Sequence, residues 1–330
     1  MRILITGGYG FVGAHFVEHV LVNTNWEIII LDRLSYAGNM NRITDIRDYN
    51  PERVKTVFHD LRAPISDMTD KMIGNVDYVV HFAAESHVDR SLENAIPFAM
   101  SNVVGTTHLL EWLKKRWLNG QKIKRYIGFN TDEVFGPAPE DVFYKEGERF
   151  KPSNPYSASK AGQWAMEYAF ATFSGLPISM VHSMNIIGER QHPEKFVPKT
   201  IKTLLEGKRV VLHGINDKNQ SSRCWIHARN VADALLFLLE RAKTGESYNI
   251  VGEERTVYEM ANWICESVLG RELKDSDIIW LDFHSARPGH DKRYALDGSK
   301  LEQLGWKPPV ILRKSLKKVV KWSLKNRNWL

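Results

Sequence analysis

Two cysteines in 330 residues, Cys224 and Cys265, cannot build a disulfide framework. They read as buried thiols in a reducing compartment, and no metal-ligand spacing surrounds them. Long apolar runs are also missing. The longest, Trp26–Leu31 and Val231–Leu239, fall well short of the roughly 20 residues a bilayer-spanning helix needs. Met1-Arg2 leads straight into Ile3-Leu4-Ile5, which reads as a strand, so no signal segment is expected and a cytoplasmic setting is. No internal repeat, Gly/Ser linker or low-complexity tract appears. Disorder and fibrous classes are thereby excluded, and any two domains should pack closely around a cleft.

What is present is the composition of a globular protein: 43% apolar, 25% charged and 11% aromatic residues. At about 150 residues per domain the length suggests two domains. The formal net charge is +6. Arg313, Lys314, Lys317, Lys318, Lys321, Lys325 and Arg327 supply much of it. Leu312, Leu316, Val319, Val320 and Ser323 share one helical face, so these cations form the solvated side of a docked helix. Neither nucleic acid nor membrane is expected as a partner. A modest positive excess suits a small anionic substrate.

Strand-like and helical segments alternate through the first 130 or so residues. Strands are read at Ile3–Ile5, Glu27–Leu31, Val54–Phe58, Tyr78–His81 and Tyr126–Phe129. Helices are read at Gly13–Val22, Pro97–Trp117 and Pro155–Phe173, with a further strand at Ile178–Ser183. This predicts an α/β fold, a Rossmann-type doubly wound parallel sheet. A smaller, mostly C-terminal α/β domain should bind the substrate. The expected division is 1–189 plus 222–252 for the dinucleotide domain and 190–221 plus 253–330 for the other.

Gly7, Gly10 and Gly13 give G-x-x-G-x-x-G between a strand and a helix that opens with Phe11-Val12. Missing β-carbons let the backbone approach a pyrophosphate, and the helix start supplies free N–H groups. Asp32 ends the second strand, 19 residues after Gly13. A carboxylate there binds both ribose hydroxyls of NAD and repels the extra phosphate of NADP, so NAD is the expected cofactor. Arg33 follows it, and Ala83 closes the fourth strand.

Tyr156 and Lys160 make Tyr-x-x-x-Lys, one helical turn apart on one face. An ammonium beside a phenol favours the phenolate. Thr131-Asp132-Glu133 stands at the end of the fifth strand. On an extended strand the two carboxylates would point apart. If the chain turns there, both can face the cleft, one as acid and one as base.

These motifs resemble the extended short-chain dehydrogenase/reductase family, and within it the nucleotide-sugar 4,6-dehydratases. The similar segments are Leu31–Asn39, His81–Ser91, Thr131–Gly136, Asn154–Lys160, His192–Pro198 and Arg287–Asp291. The resemblance implies oxidation of a nucleoside-diphosphate hexose at C4, foremost dTDP-glucose, with NAD taking the hydride. Loss of water across C5/C6 and return of the hydride to C6 follow. It assigns C4 deprotonation to Tyr156, aided by Thr131 and Lys160, C5 deprotonation to Glu133, and protonation of the leaving hydroxyl to Asp132. It puts Asp60 at the adenine with Leu61 in the same cofactor site. It puts Ser86 and Asn185 at the sugar and phosphates, and Lys195, Arg223, Arg287 and His290 on the diphosphate. His213 stands where the family has an aromatic residue against the base. The family's Asn-Tyr-Gly and Arg-Asp-Trp are here Ile186-Ile187-Gly188 and Arg223-Cys224-Trp225. The resemblance also implies a homodimer joined by a four-helix bundle of the helices near 97–117 and 156–173. A UDP-sugar 4-epimerase or decarboxylase of the same superfamily is the alternative, and then a non-catalytic NAD-binding subunit. An epimerase has no use for a C5 base together with a C6 acid.

Overall fold

The computed structural model describes residues 1–282 and 293–330. Its strands are β1 Arg2–Thr6, β2 Glu27–Asp32, β3 Val54–Phe58, β4 Tyr78–His81, β5 Arg125–Thr131, β6 Ile178–Ser183, β7 Asn185–Ile187, β8 Val210–His213, β9 Ser222–His227, β10 Ser247–Ile250, β11 Glu253–Thr256 and β12 Ile278–Leu281. Seven form one parallel sheet in the order β3-β2-β1-β4-β5-β6-β10. The Ile/Leu/Val runs of β1 and β2 are buried on both faces, as a parallel sheet between helices requires. One apolar layer packs helices Phe11–Asn23 and Ala228–Arg241 on one face. Another packs Gly105–Leu118 and Pro155–Phe173 on the opposite face. The strand order reverses between β1 and β4, and a crevice opens there beyond the strands' carboxyl ends.

A second body of structure surrounds a separate core. Helices Phe196–Leu205, Val257–Leu269 and Leu312–Lys325 close on β8 and β12. The last of these buries Leu312, Leu316, Val319, Val320 and Ser323, and its lysines face outward. A three-stranded sheet, β11-β9-β7, lies beside it. Its strands β7 and β9 fall in stretches that the sequence reading placed with the dinucleotide domain.

The helix expected at Pro97–Trp117 is a continuous helical run with a π-helical stretch, Ala99–Val104, between Ile96–Phe98 and Gly105–Leu118. Such wide turns often lie at functional positions, and this one carries the buried Asn102. Arg42 joins the two halves of the molecule. Its guanidinium donates to the carbonyls of Tyr9, Ala37 and Arg190 and lies over the Trp329 ring, 5.5 Å from its centre. Both cysteines are buried and free. Among the described residues no helix is long and apolar enough to cross a membrane.

Candidate active site

The glycine turn has no room for side chains. A β-carbon on Gly7, whose φ is +71°, would lie 2.7 Å from the Ala83 nitrogen, and one on Gly13 would strike the Gly7 carbonyl. The turn is thus pinned between the end of β4 and the start of helix Phe11–Asn23. Gly10 N–H donates to the Gly7 carbonyl at 3.0 Å and Ala14 N–H to that of Gly10 at 3.0 Å. Phe11 and Val12 form the first helical turn, which holds no acidic residue to repel an anion. Asp32 accepts from the N–H groups of Tyr9 (3.0 Å) and Leu34 (2.8 Å), one on each oxygen. Each oxygen keeps a lone pair for a ribose hydroxyl. Leu34 adopts a left-handed φ of 53° to make its bond, a conformation rare for a leucine.

Beside Asp32 lies a cavity of about 600 Å³ lined by Arg33, Ser35, Tyr36, Phe58, His59, Asp60, Arg62 and Glu85. Arg33 bridges Asp60 and Glu85, and Arg62 pairs with Asp60. Although burial opposes it, the bonds from Arg62 and Arg33 hold the Asp60 carboxyl down, at about 2. Leu61 lies next to this cavity, but its side chain packs into the core. Turn, carboxylate and cavity run in sequence along the crevice, as an extended dinucleotide requires. The residues present therefore fit NAD.

At the end of β5 the chain winds into a short 3-10 turn, Asp132–Phe135, capped by Thr131. This turn keeps both carboxylates near the helix Pro155–Phe173. Asp132 is 4% exposed, and its Oδ1 accepts from the Thr131 hydroxyl at 3.1 Å. Its Oδ2 is buried with no hydrogen-bond partner among the described residues. Burial and then the Glu133 charge push the Asp132 carboxyl up to about 7; the Thr131 bond and Arg223 oppose them. Asn154, which caps the helix, donates to Glu133 at 3.4 Å. The Thr131 hydroxyl also bonds Tyr156.

Tyr156 departs from the expectation drawn from its spacing. Burial and the neighbouring Glu133 raise its hydroxyl far above the usual range. Lys160 is buried one turn on, yet its ammonium donates to the Phe129 carbonyl (2.7 Å) and to Gln163. Spacing placed both residues on one helical face. It carried no information about burial, which dominates both groups.

The residues expected on the substrate are spread over a loop, three strands and a helix start. Ser86 is exposed on the loop after β4, and Asn185 is half-buried at the start of β7. His213 ends β8, half-buried. Arg223, on β9, lies over the Tyr294 ring at 5.0 Å and acts on Asp132 electrostatically. Lys195 begins the helix Phe196–Leu205, 3.6 Å from Glu194. Glu194 also meets His87 (3.3 Å) and His192 (3.6 Å). Arg287 and His290 lie outside the described residues.

Two sets of residues escaped the sequence reading. Asn102 brackets Glu85 with two hydrogen bonds and also bonds Ser159, so it fixes the loop after β4 against the helix Pro155–Phe173. Gln163 and Glu167 lie fully buried beneath Lys160. Tyr156, Lys160, Gln163 and Glu167 form a polar stripe at helical spacing through an otherwise apolar helix, and that stripe was the available signal.

Comparison with known proteins points the same way. The family described as GDP-mannose 4,6 dehydratase matches residues 4–319. A dTDP-glucose 4,6-dehydratase of Escherichia coli is 36% identical, with 100% of this chain and 94% of that protein covered. A trifunctional protein of Arabidopsis thaliana that includes UDP-glucose 4,6-dehydratase is 34% identical, with 99% of this chain and 48% of its own length covered. The crystal structure of a dTDP-glucose 4,6-dehydratase from Streptomyces venezuelae, with NAD bound, matches with a TM-score of 0.88 at 34% identity. It covers 100% of this chain and 98% of that one.

Proposed function

The chain belongs to the GDP-mannose 4,6 dehydratase family, and from that premise we propose that it converts a nucleoside-diphosphate hexose, foremost dTDP-glucose, to the 4-keto-6-deoxy sugar. The observation that carries this reading is the Asp132-Glu133 pair, turned toward Tyr156 at the strand end, with the Asp132 carboxyl at about 7. A carboxyl with that value is half protonated at neutral pH and can give a proton.

Gly7, Gly10, Phe11, Val12 and Gly13 would hold the NAD pyrophosphate, Asp32 and Arg33 the ribose, and Asp60 the adenine, with Ala83 behind the turn. Bound there, NAD supplies the acceptor and later the donor of a hydride. Tyr156 takes the proton of the C4 hydroxyl, oriented by Thr131. Lys160, one turn on, is the cation that would offset the phenolate against the burial and the Glu133 charge that raise the Tyr156 hydroxyl. The resulting 4-ketone acidifies C5. Glu133 removes the C5 proton, and Asp132 passes its proton to the departing C6 hydroxyl, which leaves as water.

Lys195 and Arg223 are our candidates for the diphosphate, with His213 against the base and Ser86 and Asn185 at the sugar. Residues 190–221 and 253–330 then form most of the sugar-nucleotide side of the cleft. We also propose a homodimer through the helices Gly105–Leu118 and Pro155–Phe173, which keep Leu118, Tyr168 and Phe173 exposed, and a cytoplasmic setting. Trp112 and Phe170, by contrast, are buried in the chain's own core.

The test is NMR of the purified protein with dTDP-glucose and UDP-glucose, each in D₂O. A 6-deoxy-4-keto product with deuterium at C5 is expected, and the faster substrate identifies the base. Isomerised hexose without loss of water would overturn the reading in favour of an epimerase.

A further inference from the structure

Among the described residues no carboxylate lies within ion-pair distance of the Lys160 ammonium, which donates to the Phe129 carbonyl and to Gln163. Beneath it, Gln163 receives the ammonium on its Oε1 and donates its own Nε2–H to Glu167 at 3.0 Å. Glu167 accepts two further bonds, from the Tyr126 hydroxyl at 3.0 Å and from Asn130 Nδ2 at 3.0 Å. Every neighbour bonded to this carboxylate is a donor. Burial raises the Glu167 carboxyl above its ordinary range, and the bonds from Gln163, Asn130 and Tyr126 together with the Lys160 charge oppose that rise in favour of the ionised form. The carboxylate lies flat on β5 over Gly128, where any β-carbon would collide with it. Strand and helix have both made room for a buried charge whose removal would leave three donors unsatisfied.

We propose that Glu167, acting through the Gln163 amide, is a positioning residue that keeps Lys160 charged and holds its ammonium at the Phe129 carbonyl. The amide conducts the effect because it is polarised at both ends, an ammonium on its oxygen and a carboxylate on its N–H. Burial draws the Lys160 ammonium down to about 8, and Glu167 opposes that loss. The other groups facing the pair do not titrate between pH 6 and 9. His81 on β4 and His182 on β6 are held at about 3, chiefly by burial, and the Tyr126 hydroxyl stays well above its usual range. The proposal rests on the function above only in giving Lys160 a part in the reaction.

The test is a pH titration of the Lys160 side chain in lysine-labelled protein by NMR, its signal assigned with Lys160→Arg, beside a pH profile of kcat. In Glu167→Gln the Lys160 midpoint should fall by about one pH unit or more. The alkaline limb of the kcat profile, which Asp132 sets at about 7 in the parent, should move to lower pH still while KM hardly changes. The double substitution Glu167→Gln with Gln163→Glu moves the carboxylate one turn closer and should bring the midpoint back up. Should Glu167→Gln not fold, Gln163→Met cuts the link and should lower the midpoint in the same direction. An unchanged midpoint, with kcat reduced equally at every pH, would overturn the proposal and leave Glu167 a packing residue. Failure of the parent protein to dehydrate either sugar nucleotide would overturn the functional reading instead, and the NMR titration would still decide this one.

Discussion

Thr131, Asp132, Tyr156 and Lys160 stand on the dinucleotide side of the cleft with little exposed surface, and hydrogen bonds and packing hold them in place. Lys195, His213 and Arg223 on the opposite side are half-buried, on a strand end, a strand and a helix start of the second body. Glu194 is shared there among Lys195, His87 and His192. In the proposed reaction the first group meets the atoms that react. Its geometry must be fixed before substrate arrives, because a misplaced proton donor loses most of its effect. The second group, on the same proposal, meets whatever carries the sugar. Its charges can exchange one partner for another at low cost, as exposed pairs do. This chain's departures from the family's pattern at Ile186-Ile187, Cys224 and His213 fall on β7, β9 and β8, in or beside the strands that carry Arg223 and His213.

The comparison breaks or holds first at Asp132. Asp132→Asn should slow elimination by about 10²–10⁴-fold and spare C4 oxidation, with rapid quench showing 4-keto hexose that retains its C6 hydroxyl. In the parent, elimination should decline as pH rises through about 7, where Asp132 gives up its proton. Stability follows the same sign. The folded carboxyl lies at about 7, above its ordinary 3.8. Its contribution is complete below pH 4 and is lost as pH rises through 7. Asp132→Asn should therefore melt higher than the parent at pH 8 and not at pH 4. Equal loss of oxidation and elimination would mean that the buried side does not separate its roles.

A smaller effect is expected at the phosphate turn. Gly13→Ala drives a β-carbon into the Gly7 carbonyl, so NAD retained through purification should fall by about tenfold or more. The smallest effect belongs to the adaptable side. Glu194→Gln removes the carboxylate that competes for Lys195, and KM for the sugar nucleotide should drop by about two- to fivefold with kcat unchanged. A large fall in kcat there would show that this side is as tightly organised as the other.

The parallel sheet was legible because β1, β2 and β4 are short apolar runs set between helical patterns, which is a local signal. Strands β7, β9 and β11 were not. They are short, carry Asn, Arg and Glu, and exist because they pair with each other across the chain. Residues 222–227 pair with β7 and β11, a partnership that no local pattern announces. The glycine turn, Asp32 and the acid pair stand out by residue type and place. The raised Tyr156 hydroxyl and the Gln163–Glu167 support depend on burial, which a motif does not encode.

Arg42 has a consequence for the making of the protein. Its carbonyl partners at Tyr9 and Ala37 leave the ribosome early, the one at Arg190 much later, and its aromatic cover at Trp329 later still. A nascent chain can pair its first strands and still carry an unfinished cofactor loop. Readiness to take up NAD then arrives late in synthesis, when the tail docks, so a truncated translation product should emerge folded in part but empty.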